Sequence, residues 1–361
     1  MKLAATLEWL NTPIATLNTQ TQRTAQTRQS QLTKPPGSLG RLEEIAIQLA
    51  ALQGTVQPSV QRVQITIFAG DHGIACEGVS AFPQSVTSQM IKNFAQGGGA
   101  INVLARTLNA QMEIINLGTV HDTAHDTAAL TNVKHFHLGQ GTANFLHEPA
   151  MSMQQLSQAL NVGREVAEQA KCNKMQLSIG GEMGIGNTTS AAALASILLN
   201  TQPVHLTGPG TGLDENGIAH KISIIERALA LHNPNIITPI EALCCVGGFE
   251  IAALTGAYIR GAQLGLPMLI DGFISAVAAL AAEHVSPGCK RWFIYSHRSS
   301  EPGHNIILQA LNATPLIDLN MRLGEGSGAA VSVSLLRMAC ALHNEMATFA
   351  EAQVSTKNQS E

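Results

Sequence analysis

The chain has 361 residues, of which 45% are hydrophobic and 13% charged, and a formal net charge of -4; this fits one large α/β domain with additions, or two domains. It has no basic stretch that would favour nucleic acid, and no apolar run reaches the roughly 18 residues of a membrane span. Its six cysteines form no C-x-x-C pair, and residues 1–10 lack a signal-peptide core. We therefore expect reduced thiols, a cytoplasmic location, and no nucleic-acid or membrane partner.

Predicted helices and strands alternate along the chain. Residues 1–32 predict a helix that is followed by a polar stretch, TQTQRTAQTRQSQ. Further on, apolar runs predict six strands, which cover residues 62–69, 112–117, 175–179, 267–271, 291–296 and 315–319. Strands that alternate with helices are typical of an α/β fold with one parallel sheet and helices on its faces.

Turns that contain glycine or small polar residues follow the predicted strands, among them GDHG, GGEMG, DG, SH and LGEG. Because ligands of open parallel sheets bind at the carboxyl ends of the strands, we expect all six turns to converge on one site. In the first turn, Asp71 and His72 have two interpretations. They are catalytic, or Asp71 caps nearby backbone N–H groups, which is the commoner role of aspartate in a turn.

Residues 175–190, MQLSIGGEMGIGNTTS, form the central motif of the chain. A buried strand, a glycine turn, polar residues and a helix follow one another, and such a unit suits a phosphate, because backbone N–H groups and the helix N-terminus face it. A phosphate would repel Glu182, so this carboxylate is expected to face a ribose hydroxyl or a cationic ring. The alternative is a plain strand-to-helix turn in which Thr188 or Thr189 is the N-cap.

A second glycine turn, residues 208–214, precedes a helix that carries Lys221 in its second turn, within reach of an anion. Neither glycine turn fits the dinucleotide fingerprint or the P-loop pattern. His121 and His125 have the spacing of a metal pair on a helix, but no third ligand follows at a recognisable spacing, so a surface loop is expected. Lys34 is expected to be solvated, with anion binding as the alternative. We expect no metal site and no cofactor.

Several longer motifs occur together: KPPGSLGRLE, FAGDHGI, P-x-x-VT-x-QM, GGGAINVLAR, GEMGIGNTT, GTGLD, SHRSSEPGH and LNMRLGEGSGAA. Over about residues 33–345 they closely resemble the nicotinate-nucleotide–dimethylbenzimidazole phosphoribosyltransferase family. The resemblance implies a homodimer with a Rossmann-like sheet in a large domain, 61–325, and a small helical domain built from 1–60 and 326–361. It also implies a role in cobalamin synthesis, the formation of α-ribazole 5′-phosphate from nicotinate mononucleotide and dimethylbenzimidazole.

The resemblance also assigns site residues. It implies that Glu325 is the general base and that Glu182 lies near the ribose and the base. The phosphate and ribose site is expected at Gly184, Gly186, Asn187, Thr188, Gly208, Gly210, Lys221 and Ser299. The acceptor base is expected at Ala81, Phe82, Gln89, Met183, Arg322 and Leu323. The family often has a serine–tyrosine pair where this chain has Ala81 and Phe82, so two hydroxyls that hydrogen-bond the base are missing here.

The chemistry of this donor explains why we expect no metal. The pyridinium ring becomes a neutral pyridine when nicotinate leaves, whereas a pyrophosphate leaving group needs a metal, and no pair of acids of the kind that holds one follows a strand here. We expect inversion at the anomeric carbon, with Glu325 removing the acceptor's proton and the next helix's N-terminus keeping Glu325 ionised. Alternatively, Glu325 only caps that helix. Two other functions are possible alternatives. One is a non-catalytic nucleotide-binding module. The other is an NAD-dependent oxidoreductase, which the missing dinucleotide fingerprint disfavours.

Overall fold

A computed structural model of the chain describes residues 6–121 and 132–355. The strands are β1 Val63–Gly70, β2 Gln111–Gly118, β3 Val133–His135, β4 Leu177–Met183, β5 Met268–Ile270 and β6 Phe293–Tyr295. The α-helices of the described residues are α1 Thr19–Gln31, α2 Arg41–Gln53, α3 Ser85–Ala95, α4 Ala100–Leu108, α5 Met153–Cys172, α6 Asn187–Leu199, α7 Glu215–His232, α8 Pro239–Val246, α9 Phe249–Leu264, α10 Phe273–Val285, α11 His304–Ala310 and α12 Ser327–Glu345.

The six strands form one sheet in the order β3-β2-β1-β4-β5-β6, and every neighbouring pair is parallel. This is the strand order of the Rossmann fold, in which the chain reverses its direction of travel across the sheet between the first and fourth strands. The prediction of an α/β fold with a parallel six-stranded sheet and flanking helices is therefore confirmed.

One predicted strand is wrong and one strand was missed. Residues 315–319 make only an isolated bridge, between Ile317 and His297, because the segment runs beside the end of β6 without a regular ladder. The sixth strand is instead β3, which lies in the histidine-rich stretch that predicted a surface loop. Three residues at the edge of a sheet, none of them fully buried, are too few to give a periodic pattern.

The central strand β4 separates two layers because its successive residues face opposite sides. Gly180 faces α9, where a Cβ would lie 3.1 Å from the hydroxyl of Tyr258. Gly181 faces the other side, where a Cβ would lie 2.5 Å from the carbonyl carbon of Glu325. Only glycine allows the backbone before α12 to approach the sheet this closely, so Gly181 lets Glu325 lie against the end of β4.

The two ends of the described chain pack on each other. The guanidinium of Arg28 on α1 donates to the carbonyls of His343, Asn344 and Met346 at the end of α12, at 2.7 to 3.1 Å. The polar stretch at residues 19–31 is therefore itself the helix α1, contrary to the prediction. Its buried face is narrow and includes Gln29, so it shows no hydrophobic period. The division into small and large domains at residues 60 and 325 stays a prediction.

Two findings bear on the expectations from composition. Among residues 6–121 and 132–355, no helix is both long and apolar enough to cross a membrane. All six cysteines carry free thiols.

The prediction that Lys34 is solvated is wrong. Lys34 is buried, and its ammonium lies 2.7 Å from the carboxylate of Glu43, so it anchors the turn before α2.

Candidate active site

A cavity of about 480 Å³ lies at the carboxyl ends of β4, β5 and β6. Its lining comes from the end of β4, from the turns and helix starts that follow these strands, and from the segment before α12. Gly210, Thr211 and Phe82 complete it. The expectation that all six turns converge is wrong in part. The turns after β1 and β2 contribute nothing to the lining, because the chain there is buried behind the turn that follows β4.

Most of the predicted site residues line this cavity: Phe82, Glu182, Met183, Gly184, Asn187, Thr188, Gly210, Ser299, Arg322, Leu323 and Glu325. They come from five separate parts of the chain, so the structure brings together residues that lie far apart in the sequence. Their assigned roles stay predictions, but their common position at one cavity supports the assignment of one site.

Five predicted residues lie outside the lining: Ala81, Gln89, Gly186, Gly208 and Lys221. Ala81 is next to it, since its N–H donates to the hydroxyl of the lining residue Thr211 at 3.3 Å. Gln89 is exposed on α3, and the described structure gives it no place in the cavity. Gly186 is the residue before α6 and packs against His72. Lys221 and Gly208 lie behind the cavity wall: the ammonium of Lys221 is 2.7 Å from the hydroxyl of the lining residue Thr188 and 3.5 Å from the carbonyl of Gly208.

Glu325 stands in an unusual backbone conformation at the cavity wall. Its φ is +63°, between two glycines that also have positive φ, and such a conformation in a non-glycine residue is strained and common at functional sites. The side chain is only 6% exposed, and its Oε2 is buried without a hydrogen-bond partner. It does not cap α12, because the residue before that helix is Gly326 and no side chain bonds the first turn.

Burial raises the pKa of Glu325 to about 7, with a smaller contribution from the negative charge of Asp271, while the backbone N–H of Ile101 at the start of α4 opposes the shift. The expectation that a helix N-terminus simply keeps this carboxylate ionised is therefore corrected. Desolvation outweighs the helix ends. A carboxyl with a pKa near neutrality is suited to accept a proton at physiological pH and to release it again.

Two further carboxyl groups lie beside Glu325. Glu182, at the end of β4, accepts a hydrogen bond from the side-chain amide of Asn187. Burial and the charges of Glu250, Asp271 and Glu325 raise its pKa well above the usual value. Asp271, after β5, accepts the N–H of Ala329 at 2.8 Å, and burial raises its pKa although His297 opposes the shift. Acids from different strands thus meet here, which a search for acids adjacent in sequence did not show.

The opposite end of the cavity offers groups that bind anions. The N-terminus of α6 is open at Asn187 and Thr188, with no side-chain cap. Behind Thr188, the ammonium of Lys221 donates to its hydroxyl at 2.7 Å, and burial lowers the pKa of Lys221 to about 8. Arg322, which the family resemblance assigned to the acceptor base, donates to the carbonyl of Gly210 at 3.3 Å. This combination of a helix N-terminus, a lysine and an arginine suits a phosphate.

The GDHG turn supports the cavity from behind. His72 Nε2 lies 2.7 Å from Glu250 Oε1, and both side chains are fully buried; His72 is not among the residues that line the cavity. Asp71 accepts the N–H of Val120 at 2.9 Å, which is the capping role that the sequence offered as the alternative to catalysis. His72 packs against Gly184 and Gly186, so this turn holds the loop between β4 and α6 in place.

Sequence reasoning missed several lining residues. They are Ile185, Thr211, Asp271, Gly272, Phe273, Ile274, Ser275, His297, Glu301 and Gly324. The signals were present, because the DG turn after the fourth predicted strand and the SHRSSEPGH motif contain Asp271, His297 and Glu301. Among residues 6–121 and 132–355, no group of three or more His, Cys, Asp or Glu is arranged to hold a metal ion. His125, of the predicted histidine pair, lies outside the described residues.

A Rossmann-like sheet that ends in a cavity with buried carboxyls at one end and an anion site at the other defines an α/β enzyme that acts on an anionic ligand. The phosphoribosyltransferase family profile matches residues 14–354. The chain belongs to this phosphoribosyltransferase family.

Named relatives align with nearly the whole chain. The nicotinate-nucleotide–dimethylbenzimidazole phosphoribosyltransferase of Pseudomonas putida (strain GB-1) is 55% identical over 352 residues, which are 98% of this chain and 99% of the relative. The protein of the same name from Pseudomonas fluorescens (strain SBW25) is 56% identical over 349 residues, 97% and 98% of the two chains. A crystal structure of CobT from Thermus thermophilus superimposes with a TM-score of 0.89 at 42% identity, covering 94% of this chain and all of that one.

Proposed function

We propose that this enzyme transfers the phosphoribosyl group of nicotinate mononucleotide to 5,6-dimethylbenzimidazole or a related base. The products are α-ribazole 5′-phosphate and nicotinate, for the nucleotide loop of cobalamin. The names of relatives that are 55% and 56% identical over almost the whole chain support this choice of substrates. The two unlike ends of the cavity support it independently, because the donor is an anion at its phosphate and a cation at its pyridinium ring.

The donor's 5′-phosphate binds at the end that holds Thr188, Gly210 and Arg322. The ammonium of Lys221 acts on it from behind Thr188, whose hydroxyl it orients at 2.7 Å, and Ser299 lines the same cavity. The ribose then extends towards Glu182 and Asn187, which are already hydrogen-bonded to each other. The anomeric carbon lies between the two ends, close to the buried carboxyls.

The acceptor nitrogen attacks the anomeric carbon from the face opposite to nicotinate, so the configuration inverts. The new carbon–nitrogen bond forms as the bond to nicotinate breaks, and the electron pair of that bond neutralises the pyridinium. Glu325 takes the proton from the acceptor's second ring nitrogen, a contribution of about 10² to 10⁴-fold, and later releases it to solvent. Glu182 and Asp271 stabilise the positive charge that develops on the sugar.

The acceptor base binds against Phe82, Met183 and Leu323, which line the same cavity as Glu325. Phe82 and Leu323 are 50% and 58% exposed, so a flat aromatic ligand would bury apolar surface there. Ala81 and Phe82 provide no hydroxyl to the base. We therefore expect selection by shape and apolar contact, and an acceptor range that includes related benzimidazoles.

The observation that carries the proposal is Glu325, a buried carboxyl at the cavity wall with an unpartnered oxygen and a pKa of about 7. The test is chromatographic measurement of nicotinate and of the ribazole phosphate after the enzyme, nicotinate mononucleotide and dimethylbenzimidazole are mixed. We expect both products in equal amounts, and nicotinate release that depends on the acceptor. Tight binding of the mononucleotide without any nicotinate release would identify a non-catalytic nucleotide-binding module instead.

We also propose that the enzyme is a homodimer, as the family resemblance implies. Light scattering on the eluted protein should give twice the chain mass of 38.1 kDa. A single mass of 38.1 kDa at micromolar concentration would contradict the dimer and leave the proposed reaction untouched.

A further inference from the structure

Glu301 is an acid at the phosphate end of the cavity, where an anion is least expected. It lies between β6 and α11, lines the cavity and is 6% exposed. Its Oε1 accepts the N–H of Gly210 at 3.0 Å, and its Oε2 is buried without a hydrogen-bond partner. The carboxyl therefore accepts a hydrogen bond from one of the backbone N–H groups that would otherwise bind a phosphate. Its second oxygen has no hydrogen-bond partner.

The groups around Glu301 come from each neighbouring element. Lys221 on α7 and Arg322 before α12 are the positive charges that act on it, and Gly210 is its backbone donor. Burial is the larger influence and raises the pKa of Glu301 in spite of them. On its own segment, Arg298 lies 3.7 Å from the exposed carboxylate of Asp318. His304 there is neutral, because burial lowers its pKa to about 3.

A bound phosphate changes this balance in one direction. A phosphate dianion beside Lys221 and Arg322 neutralises the two positive charges that favour the ionised form of Glu301. It also repels a carboxylate in the same desolvated space, and like charges at close range raise the pKa of a carboxyl group. A proton on Oε2 removes the repulsion. It also turns this unpartnered oxygen into a hydrogen-bond donor that a phosphate oxygen can accept from.

We propose that Glu301 takes up one proton from solvent when the donor's 5′-phosphate binds, and that its protonated carboxyl then donates a hydrogen bond to a phosphate oxygen. The inference rests on the proposed function, since it takes nicotinate mononucleotide as the ligand. It assigns Glu301 a binding role: the residue couples donor affinity to pH and favours a ligand that carries the phosphate.

The test is isothermal titration calorimetry of nicotinate mononucleotide binding in two buffers of different ionisation enthalpy, which counts the protons taken up. The wild type should take up close to one proton more per site than Glu301→Gln at pH values where Glu301 is ionised in the free enzyme. Glutamine keeps the acceptor for Gly210 and cannot titrate. The donor dissociation constant of the wild type should rise by about tenfold per pH unit in that range, while that of the variant should rise much less.

Two controls isolate the effect. Glu215→Gln removes an exposed carboxylate from the start of α7 and should take up as many protons as the wild type. Nicotinate riboside, which lacks the phosphate, should bind without the difference between wild type and Glu301→Gln. Melting curves check that each variant is folded.

The outcomes separate the two claims. If the mononucleotide binds both wild type and folded Glu301→Gln with the same proton uptake, the role of Glu301 is overturned and the proposed reaction stands. If the mononucleotide does not bind the wild type at all, the donor assignment falls and this inference falls with it. A proton difference that also appears with nicotinate riboside would contradict the link to the phosphate.

Discussion

The two ends of the cavity differ in their charge balance. At one end, Glu182, Asp271 and Glu325 are buried together, and His297 is the basic group nearest to Asp271. At the other end, Lys221 and Arg322 face Glu301 across the turn of Gly210. The first end has an excess of acids, and the second has an excess of positive charge together with the N-terminus of α6.

Burial acts on both ends in opposite directions. It raises the pKa of Glu325 to about 7 and lowers that of Lys221 to about 8, since desolvation disfavours whichever form is charged. Both groups are thereby brought near physiological pH. The acid end is left ready to accept a proton and to stabilise positive charge, and the basic end is left ready for an anion. A donor with a cationic ring and a phosphate satisfies both.

The largest effect is expected from a substitution at the acid end of the cavity. Glu325→Gln keeps the shape of the side chain and loses its basicity, so kcat should fall by about 10² to 10⁴-fold with donor binding largely kept. Steady-state kinetics and melting temperature measure the two properties. Glu345→Gln, an exposed change at the end of α12, the helix that follows Glu325, serves as the control, and its kcat should be unchanged. A folded Glu325→Gln enzyme with near wild-type kcat would rule out the base.

The next largest effect is expected from a substitution at the positively charged end of the cavity. Lys221→Met removes the buried ammonium and keeps much of the volume, so the donor KM should rise by about 10 to 100-fold, the range of a charged hydrogen bond. The acceptor KM should change far less. The matched control is Lys34→Met, which removes another buried lysine, one whose ion pair with Glu43 lies outside the cavity. It should lower the melting temperature and leave the donor KM alone. Equal changes in both KM values for Lys221→Met would contradict the assignment.

A smaller effect tests the apolar wall beside the acids. Phe82→Ala should raise the acceptor KM by about 2 to 10-fold, since it removes one aromatic contact from a half-open wall, and the donor KM should stay constant. Phe136→Ala, at an exposed phenylalanine outside the cavity lining, controls for the general loss of an aromatic side chain. A larger change in donor KM than in acceptor KM would place the base elsewhere.

Removal of divalent metal ions is expected to have no effect on turnover. Since nicotinate leaves as a neutral pyridine, its departure needs no metal, and the turnover rate in EDTA should equal that in buffer alone. Complete loss in EDTA, restored by a divalent ion, would contradict this and direct attention to His121 and the residues after it.

The sequence predicted the sheet and the glycine turns because both depend on local patterns, whereas most of the individual cavity residues came from the family resemblance. The strand–glycine turn–helix unit at β4 and α6 is read from neighbouring residues, and so are the helices that carry Lys221 and follow Glu325. β3 was missed because three edge residues give no period. Asp271 and Glu301 were missed because their importance arises from the packing of separate strands and loops. The raised pKa of Glu325 was missed for a related reason, since burial depends on the whole fold.

The central claim is that Glu325 acts as a base from a buried position. The most direct measurement is the pH dependence of kcat/KM, which reports ionisations of the free enzyme. A base must be ionised, so kcat/KM should be high above the pKa of Glu325 and fall as the pH drops through about 7. This limb should be absent from Glu325→Gln. A wild-type limb centred near the ordinary glutamate value of 4.5, or the same limb in the Gln variant, would contradict the account.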